Sequence, residues 1–183
     1  MNFLSGKKEK ANKKLIEAII LERYNQYYQL AYSYVHNVAD ANDIVQNGAY
    51  KALRSSHTLG HPEYAETWVY RIMLNECFQY FNRPQFLSYE AIQEDSGVEF
   101  GSAEDDYSNI DLQRAIDALP EKDKAIIILK YFEDKKLEEI AYILGENVST
   151  IKSRLYRSMK KLRDTLSGEK ILHEHNLSNK IGG

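Results

Sequence analysis

The sequence is short of the residues that staple or punctuate a chain. A single cysteine, Cys77, excludes an intrachain disulfide, and nothing points to an oxidising compartment. Three prolines and nine glycines in 183 residues leave little material for turns, which favours long helices over many short strands. No apolar run approaches the ~18 residues that a membrane-spanning helix needs. The basic start, Met1 to Lys14, is followed by no apolar stretch or small-residue cleavage site, so it is not a signal peptide. A cytoplasmic location is therefore expected. An excess of positive charge is also missing. With 24 Lys+Arg against 27 Asp+Glu the net charge is −3, which excludes a uniformly basic protein held to nucleic acid by bulk charge. Metal and catalytic constellations are lacking too. His36, His57 and His61 stand in no ligand pattern, His173 and His175 flank Glu174 in an unpatterned tail, and Cys77 carries no nucleophile signature. No enzyme, cofactor, metal site or small-molecule substrate is expected.

What the chain does have is helical periodicity. Ile16, Ile20, Tyr24, Tyr27, Ala31, Tyr34 and Val38 step by three or four, predicting one long helix near Lys13 to Asn37. A second helix is expected to start at Asp40 as N-cap, with Asp43 three residues later as in a capping box. Gly48 sits inside it at ~1 kcal/mol relative to alanine, which close approach of another helix would explain. Residues 55–63 read as a loop, and a third helix is expected over about Tyr64 to Asn82, with Trp68 on its core face and Pro84 as its stop. Residues 84–111 differ in kind. Glu90, Glu94, Asp95, Glu99, Glu104, Asp105, Asp106 and Asp111 occur there with no Lys or Arg, as in a flexible acidic linker. Periodicity returns with Leu112, Ile116 and Leu119, continues through the apolar run Ala125–Phe132, and resumes in Leu137, Ile140, Ala141 and Leu144. A last helix, capped by Asn147, is expected to reach about Leu166, leaving 167–183 as a flexible tail. The fold class is all-α: two small helical domains, 1–83 and 112–166, joined by the linker.

The segment LEEIAYILGENVSTIKSRLYR (137–157) fits a helix-turn-helix. Ala141 is small where the two helices meet, and Gly145 tolerates the positive φ of a tight turn. Ile151 and Leu155 are apolar anchors one turn apart on the second helix. Residues 149–163 contain Lys152, Arg154, Arg157, Lys160, Lys161 and Arg163 and no acid. Ser149, Thr150, Lys152, Ser153, Arg154 and Arg157 are side chains of the kind that donate to phosphates or, for arginine, pair with guanine in the major groove. A helical hairpin with a solvated basic face is the plainer alternative. The acid-free second helix and its seated anchors favour DNA binding.

Residues 119–163, LPEKDKAIIILKYFEDKKLEEIAYILGENVSTIKSRLYRSMKKLR, resemble the fourth conserved region of bacterial sigma factors. DANDIVQNGAYKAL (40–53) and AETWVYRIMLNECFQYFNR (65–83) resemble the second region, and the order matches the extracytoplasmic-function group. Asn42, Asn47, Leu74, Lys135 and Glu146 depart from that group's usual residues, acidic at the first two, arginine at Leu74 and apolar at the last two. The resemblance implies a subunit that directs promoter recognition and transcription initiation, of a stress or envelope regulon. Asp40, Asp43, Gln46 and Asn47 would meet the clamp helices of the largest subunit of core RNA polymerase. His57, Arg71, Asn75, Tyr80 and Arg83 would read the minus-ten element, with Tyr70 and Tyr80 as stacking partners for unpaired bases and Ser55, Ser56 and Thr58 as donors. The basic helix residues Ser149 to Arg157 named above would read the minus-thirty-five element. Part of the fourth-region surface would grip the flap of the second-largest subunit, and an anti-sigma factor is a further partner of such proteins.

Magnitudes agree with a subunit that needs the polymerase. Opening duplex costs about 1.4 kcal/mol per step, whereas stacking one flipped base returns ~1–3 kcal/mol. Capturing one or two bases nucleates melting but cannot hold a whole bubble open. The rival expectation is a self-sufficient helix-turn-helix regulator whose first domain, which holds nine of the fourteen tyrosines, binds an effector or dimerises.

Overall fold

The computed structural model of the protein describes residues 3–82 and 105–181; Arg83 and residues 84–104 of the acidic segment lie outside them. Among the described residues every regular element is helical. Helices α1 (Phe3–Glu22), α2 (Tyr24–Val35), α3 (Val38–Arg54) and α4 (Ala65–Phe81) come first, with single 3-10 turns at Ser56–Thr58 and Pro62–Tyr64 between α3 and α4. Then follow α5 (Asp105–Asp117), α6 (Glu121–Ile127), a wider π turn at Ile128–Phe132, α7 (Leu137–Leu144) and α8 (Val148–Ile181).

By backbone contacts the described residues form two units. One is built from α1 to α4 with residues 128–151, the other from α5, α6 and α8 from Lys152 onward. This grouping differs from a cut between 1–83 and 112–166, and side chains supply the reason. Lys135, 6 % exposed, pairs with Glu66 of α4 and lies 4.3 Å from the centre of the Tyr70 ring. The Tyr70 hydroxyl donates to Glu133 at 2.5 Å, and Tyr142 stacks on Tyr64. Lys135, which stands where the resembling family is apolar, is therefore a buried cation with a carboxylate and a ring for partners.

Several elements depart from the periodicity. The expected single helix from Lys13 to Asn37 is two, because Arg23 leaves helical geometry (φ −109°, ψ 20°) and its guanidinium reaches Glu66 at 2.9 Å. Helix α1 also begins earlier, at Phe3. The cap of α3 is Asn37, whose side-chain oxygen accepts from the Asp40 backbone N–H at 3.0 Å, so Asp40 lies in the first turn and is not the cap. Residues 105–111, expected in the linker, are the first half of α5, and α8 continues past Leu166 to Ile181, where a tail was expected.

The core of the first unit is Ile16, Ile20, Tyr27, Leu30, Ala31, Ala41, Ile44, Val45, Ala52, Val69, Tyr70, Met73, Leu74 and Cys77, all buried. Leu74, at a position where arginine is usual, is one of these core residues. Trp68 is only half-buried, whereas Val69 and Tyr70 beside it are fully enclosed. Gly48 meets α4 so closely that a Cβ would fall 2.3 Å from Met73 Sδ, the close approach its sequence position implied. In the second unit Ala115, Ile116, Leu119, Ile127 and Leu162 form one cluster, with Leu112, Leu155 and Leu166 packed against it.

Candidate nucleic-acid interface

Three surfaces carry the residues singled out in the sequence. The first is a groove of about 440 Å³ lined by Lys51, Arg54 and Ser55 at the end of α3, His57 in the loop, and Ile72, Asn75, Glu76 and Gln79 of α4. Helix α3 ends at Arg54, and the loop turns at once. The Ser55 hydroxyl donates to Lys51 O, and the Thr58 hydroxyl donates to Ser55 O at 2.8 Å. Ser56 and Leu59 are buried while His57 and Thr58 are exposed, so Ser56 is a packed residue and not an accessible donor. Lys51 Nζ of α3 donates to the buried Glu76 carboxylate of α4 at 2.5 Å and to Gln79 at 3.2 Å. The groove thus offers an amide pair (Asn75, Gln79), an imidazole and a guanidinium around an apolar patch at Ile72. Those are the groups that read the edges of an unstacked base.

His57 and Asn75 come together there. Arg71 and Tyr80 do not line the groove. Arg71 is exposed and lies 5.9 Å from the centre of the Tyr142 ring. Tyr70 fails as a stacking partner for bases because it is wholly buried; burial and its bond to Glu133 push its phenol pKa well up. Arg83 lies outside the described residues. Lys51, Arg54 and Gln79 were not singled out from the sequence. Their signal was two cations at the end of a helix immediately before a polar loop.

The second surface is on α3. Asp43, Gln46 and Asn47 are exposed at helical spacing, Asp40 is half-buried, and Tyr50, 62 % exposed, extends the stripe by one turn. Asn42 accepts from the Tyr24 hydroxyl at 3.0 Å, an internal bond to α2.

The third involves the helix-turn-helix. Gly145 has φ +66°, and its N–H and that of Glu146 bond back to Tyr142 O (3.3 Å) and Ala141 O (3.0 Å), closing α7 in a Schellman turn. Asn147 caps α8: its side-chain oxygen accepts from the Thr150 N–H at 2.8 Å and the Ser149 hydroxyl at 2.6 Å. Ser149 is exposed and Thr150 half-buried. In the second unit Lys152, Ser153, Arg157, Lys160, Lys161 and Arg163 are exposed. Arg154 differs from them. It is half-buried and bonded to Asp123 of α6 at 2.7 Å, where it ties α8 to α6. Tyr156, 75 % exposed among these cations, is an aromatic that sequence reasoning missed, since it directly follows the apolar anchor Leu155.

Among the described residues no group of His, Cys, Asp and Glu has the geometry to hold a metal ion, and no helix is long and apolar enough to cross a membrane.

Comparison with known proteins identifies the family. The family described as "Sigma-70 region 2" matches residues 19–85, and "Sigma-70, region 4" matches 109–162. The chain belongs to the sigma-70 family of RNA polymerase sigma factors, and its relatives place it in the extracytoplasmic-function group. It is 42% identical over 165 residues to the RNA polymerase sigma factor SigV of Bacillus subtilis, covering 89% of this chain and 98% of that protein. It is 30% identical over 158 residues to the ECF RNA polymerase sigma factor SigE of Mycolicibacterium smegmatis, covering 82% of this chain and 61% of the other. Among solved structures, the sigma factor RpoE of Bartonella quintana, in complex with the anti-sigma factor NepR, shares the fold with a TM-score of 0.66 at 22% identity, over 82% of this chain and 96% of that one. CnrH in complex with the cytosolic domain of CnrY also gives 0.66, at 18% identity, over 91% and 97%. The protein is therefore a regulatory subunit for promoter recognition and transcription initiation, working with RNA polymerase on promoter DNA.

Proposed function

We propose that the α3–loop–α4 groove captures an unstacked base of the minus-ten element, and that the exposed cations of α8 hold the minus-thirty-five duplex. The observation that carries this reading is the groove itself, in which His57, Asn75 and Gln79 converge beside Arg54. Base-edge donors and acceptors in a concavity suit one extruded base, and stacking plus edge contacts return ~1–3 kcal/mol per base. The face of α8 carries Lys152, Arg157, Lys160 and Arg163 in the open, which suits phosphates and the edges of a paired major groove.

In this reading residues 1–83 serve the minus-ten element and core polymerase, 84–104 connect, and 105–166 serve the minus-thirty-five element, a division supported by the matches over 19–85 and 109–162. The distance between the elements, one to two duplex turns or about 35–70 Å, is within the ~75 Å that residues 83–104 can span at full extension. The stripe Asp43, Gln46, Asn47 and Tyr50 docks on the clamp helices of the largest subunit, and the fourth-region part meets the flap of the second-largest. The protein acts in the cytoplasm, without catalysis of its own, on genes of a stress or envelope response. By likeness to RpoE with NepR and to CnrH with CnrY, an anti-sigma factor holds it until a signal arrives.

Run-off transcription with purified core polymerase tests the reading. Core plus this protein is expected to initiate at a promoter that core alone ignores, and minus-ten substitutions are expected to abolish the transcript. Initiation that tolerates every minus-ten substitution would overturn the groove's role.

A further inference from the structure

Helix α1 starts well before residue 19, where the region 2 match begins, yet a buried polar side chain on it reaches into the loop that forms the groove. Asn12 is 4 % exposed, and its Nδ2 donates to two backbone carbonyls, Ser56 O at 3.1 Å and Leu59 O at 3.0 Å. A side-chain amide has two N–H donors on one nitrogen, and here both are used on two turns of one short segment. Both partners are acceptors only, so the nitrogen, not the oxygen, must face them. No acid fits this place, and an apolar side chain would take the side-chain donor from both carbonyls, leaving Ser56 O only the Leu59 N–H.

The consequence is for direction. With the carbonyls of residues 56 and 59 drawn inward, the Ser56 and Leu59 side chains are buried, and the two residues between them are presented outward. One of those is His57 on the rim of the groove. Of the remaining bonds of the loop, Thr58 N–H to Ser55 O at 2.8 Å and Leu59 N–H to Ser56 O at 3.2 Å close it on itself, and the Ser55 N–H and hydroxyl tie its start to Lys51 O of α3, which leaves residues 56–59, among the described residues, without a hydrogen bond to α1 other than those of Asn12. Asn12 is the link between the loop backbone and α1, whose Ile16 and Ile20 are anchored in the core.

We infer that Asn12 is a positioning residue for minus-ten recognition: α1 is part of the reading apparatus, and its amide sets the presentation of His57. This rests on the groove being the minus-ten reader. Asn12 touches no base itself. Its loss would let the loop drift, blurring discrimination between bases without removing the groups that contact them.

The test uses full-length Asn12→Asp and Asn12→Ala proteins with core polymerase, transcribing a cognate promoter and one substituted in the minus-ten element in the same reaction. Both templates sample the same holoenzyme, so a lowered folded fraction cancels from the ratio. The ratio of the two transcripts is expected to fall about tenfold, the discrimination that one mismatched position typically carries. The ratio for a minus-thirty-five substitution is expected to stay at the wild-type value. In a His57→Ala background, Asn12→Asp is expected to add little, because it acts through the loop. A minus-ten ratio within twofold of wild type for both variants would overturn the inference. So would an equal fall at both elements, the mark of a general structural role, or full additivity with His57→Ala. If the wild-type holoenzyme shows no minus-ten preference, the groove reading itself fails and takes this inference with it.

Discussion

The groove beside His57 and the open face of α8 are built in opposite ways. The groove is concave and electrically mixed, with Lys51 and Arg54 on the same wall system as the buried Glu76. It rests on fully enclosed residues: Gly48 against Met73 below it, and Ser56 and Leu59 under the loop. The α8 face from Lys152 to Arg163 carries no acid, and its cations stand in solvent. Arg154 is half-buried and committed to Asp123, and Lys161, itself exposed, donates to Ala118 O at 3.1 Å. A concave site with fixed donors selects among bases, because a wrong base leaves a donor or acceptor unpaired. An exposed array of cations gains from counterion release whatever the sequence, and depends on salt. The net charge of −3 therefore says little about binding. Residues 1–83 hold ten basic and eight acidic side chains, 84–111 eight acids alone, and 112–183 fourteen basic and eleven acidic.

The difference can be broken from either side. The largest effect is expected from Gly48→Val. Its Cβ alone would fall 2.3 Å from Met73 Sδ, and overpacking of this kind costs ~1–3 kcal/mol. Chemical denaturation should show that loss, with minus-ten use failing and binding to an isolated minus-thirty-five duplex kept. Next, Asn75→Ala is expected to reduce discrimination at one minus-ten position by ~1–3 kcal/mol without changing the salt dependence of binding. Competition between promoter variants at two salt concentrations measures both. Lys152→Ala should do the converse, weakening binding about uniformly across sequences and lowering the slope of log affinity against log salt by about one. Arg154→Ala, by contrast, should lower stability more than it lowers DNA affinity, since its partner is Asp123.

The smallest effect concerns pH. Burial holds Glu133 above the ordinary 4.5, although the Tyr70 hydroxyl and the Lys135 ammonium pull it down. A carboxyl whose pKa is raised on folding stabilises the fold in its protonated form, and that contribution is lost as pH rises through the folded-state value. Glu133→Gln can still accept from Tyr70. Its melting temperature should therefore match wild type in acid and exceed it slightly above the carboxylate range. A parallel shift at every pH would contradict the assignment.

Much of this was legible in the sequence for physical reasons. Ala141 and Gly145 sit at a spacing that a tight helix-turn-helix requires, and Gly145 takes the positive φ expected of it. Gly48 inside a helix signalled a close neighbour, which is Met73. Other features were illegible because they depend on partners distant in sequence. Nothing local says that Tyr70 points to Glu133, that Lys135 is buried against Glu66, or that Arg154 turns to Asp123. The break at Arg23 was hidden because apolar spacing continues through it. Asn12 was passed over because a lone polar residue before a periodic run reads as solvent-facing.

The most direct test places 2-aminopurine, whose fluorescence rises when it leaves the base stack, at the minus-ten position of the non-template strand. Wild-type holoenzyme and holoenzyme carrying Lys152→Ala should both give the full rise once the complexes are saturated at low salt. Asn75→Ala should give little rise at the same occupancy. An equal rise with Asn75→Ala would contradict capture of an unstacked base by the α3–loop–α4 groove.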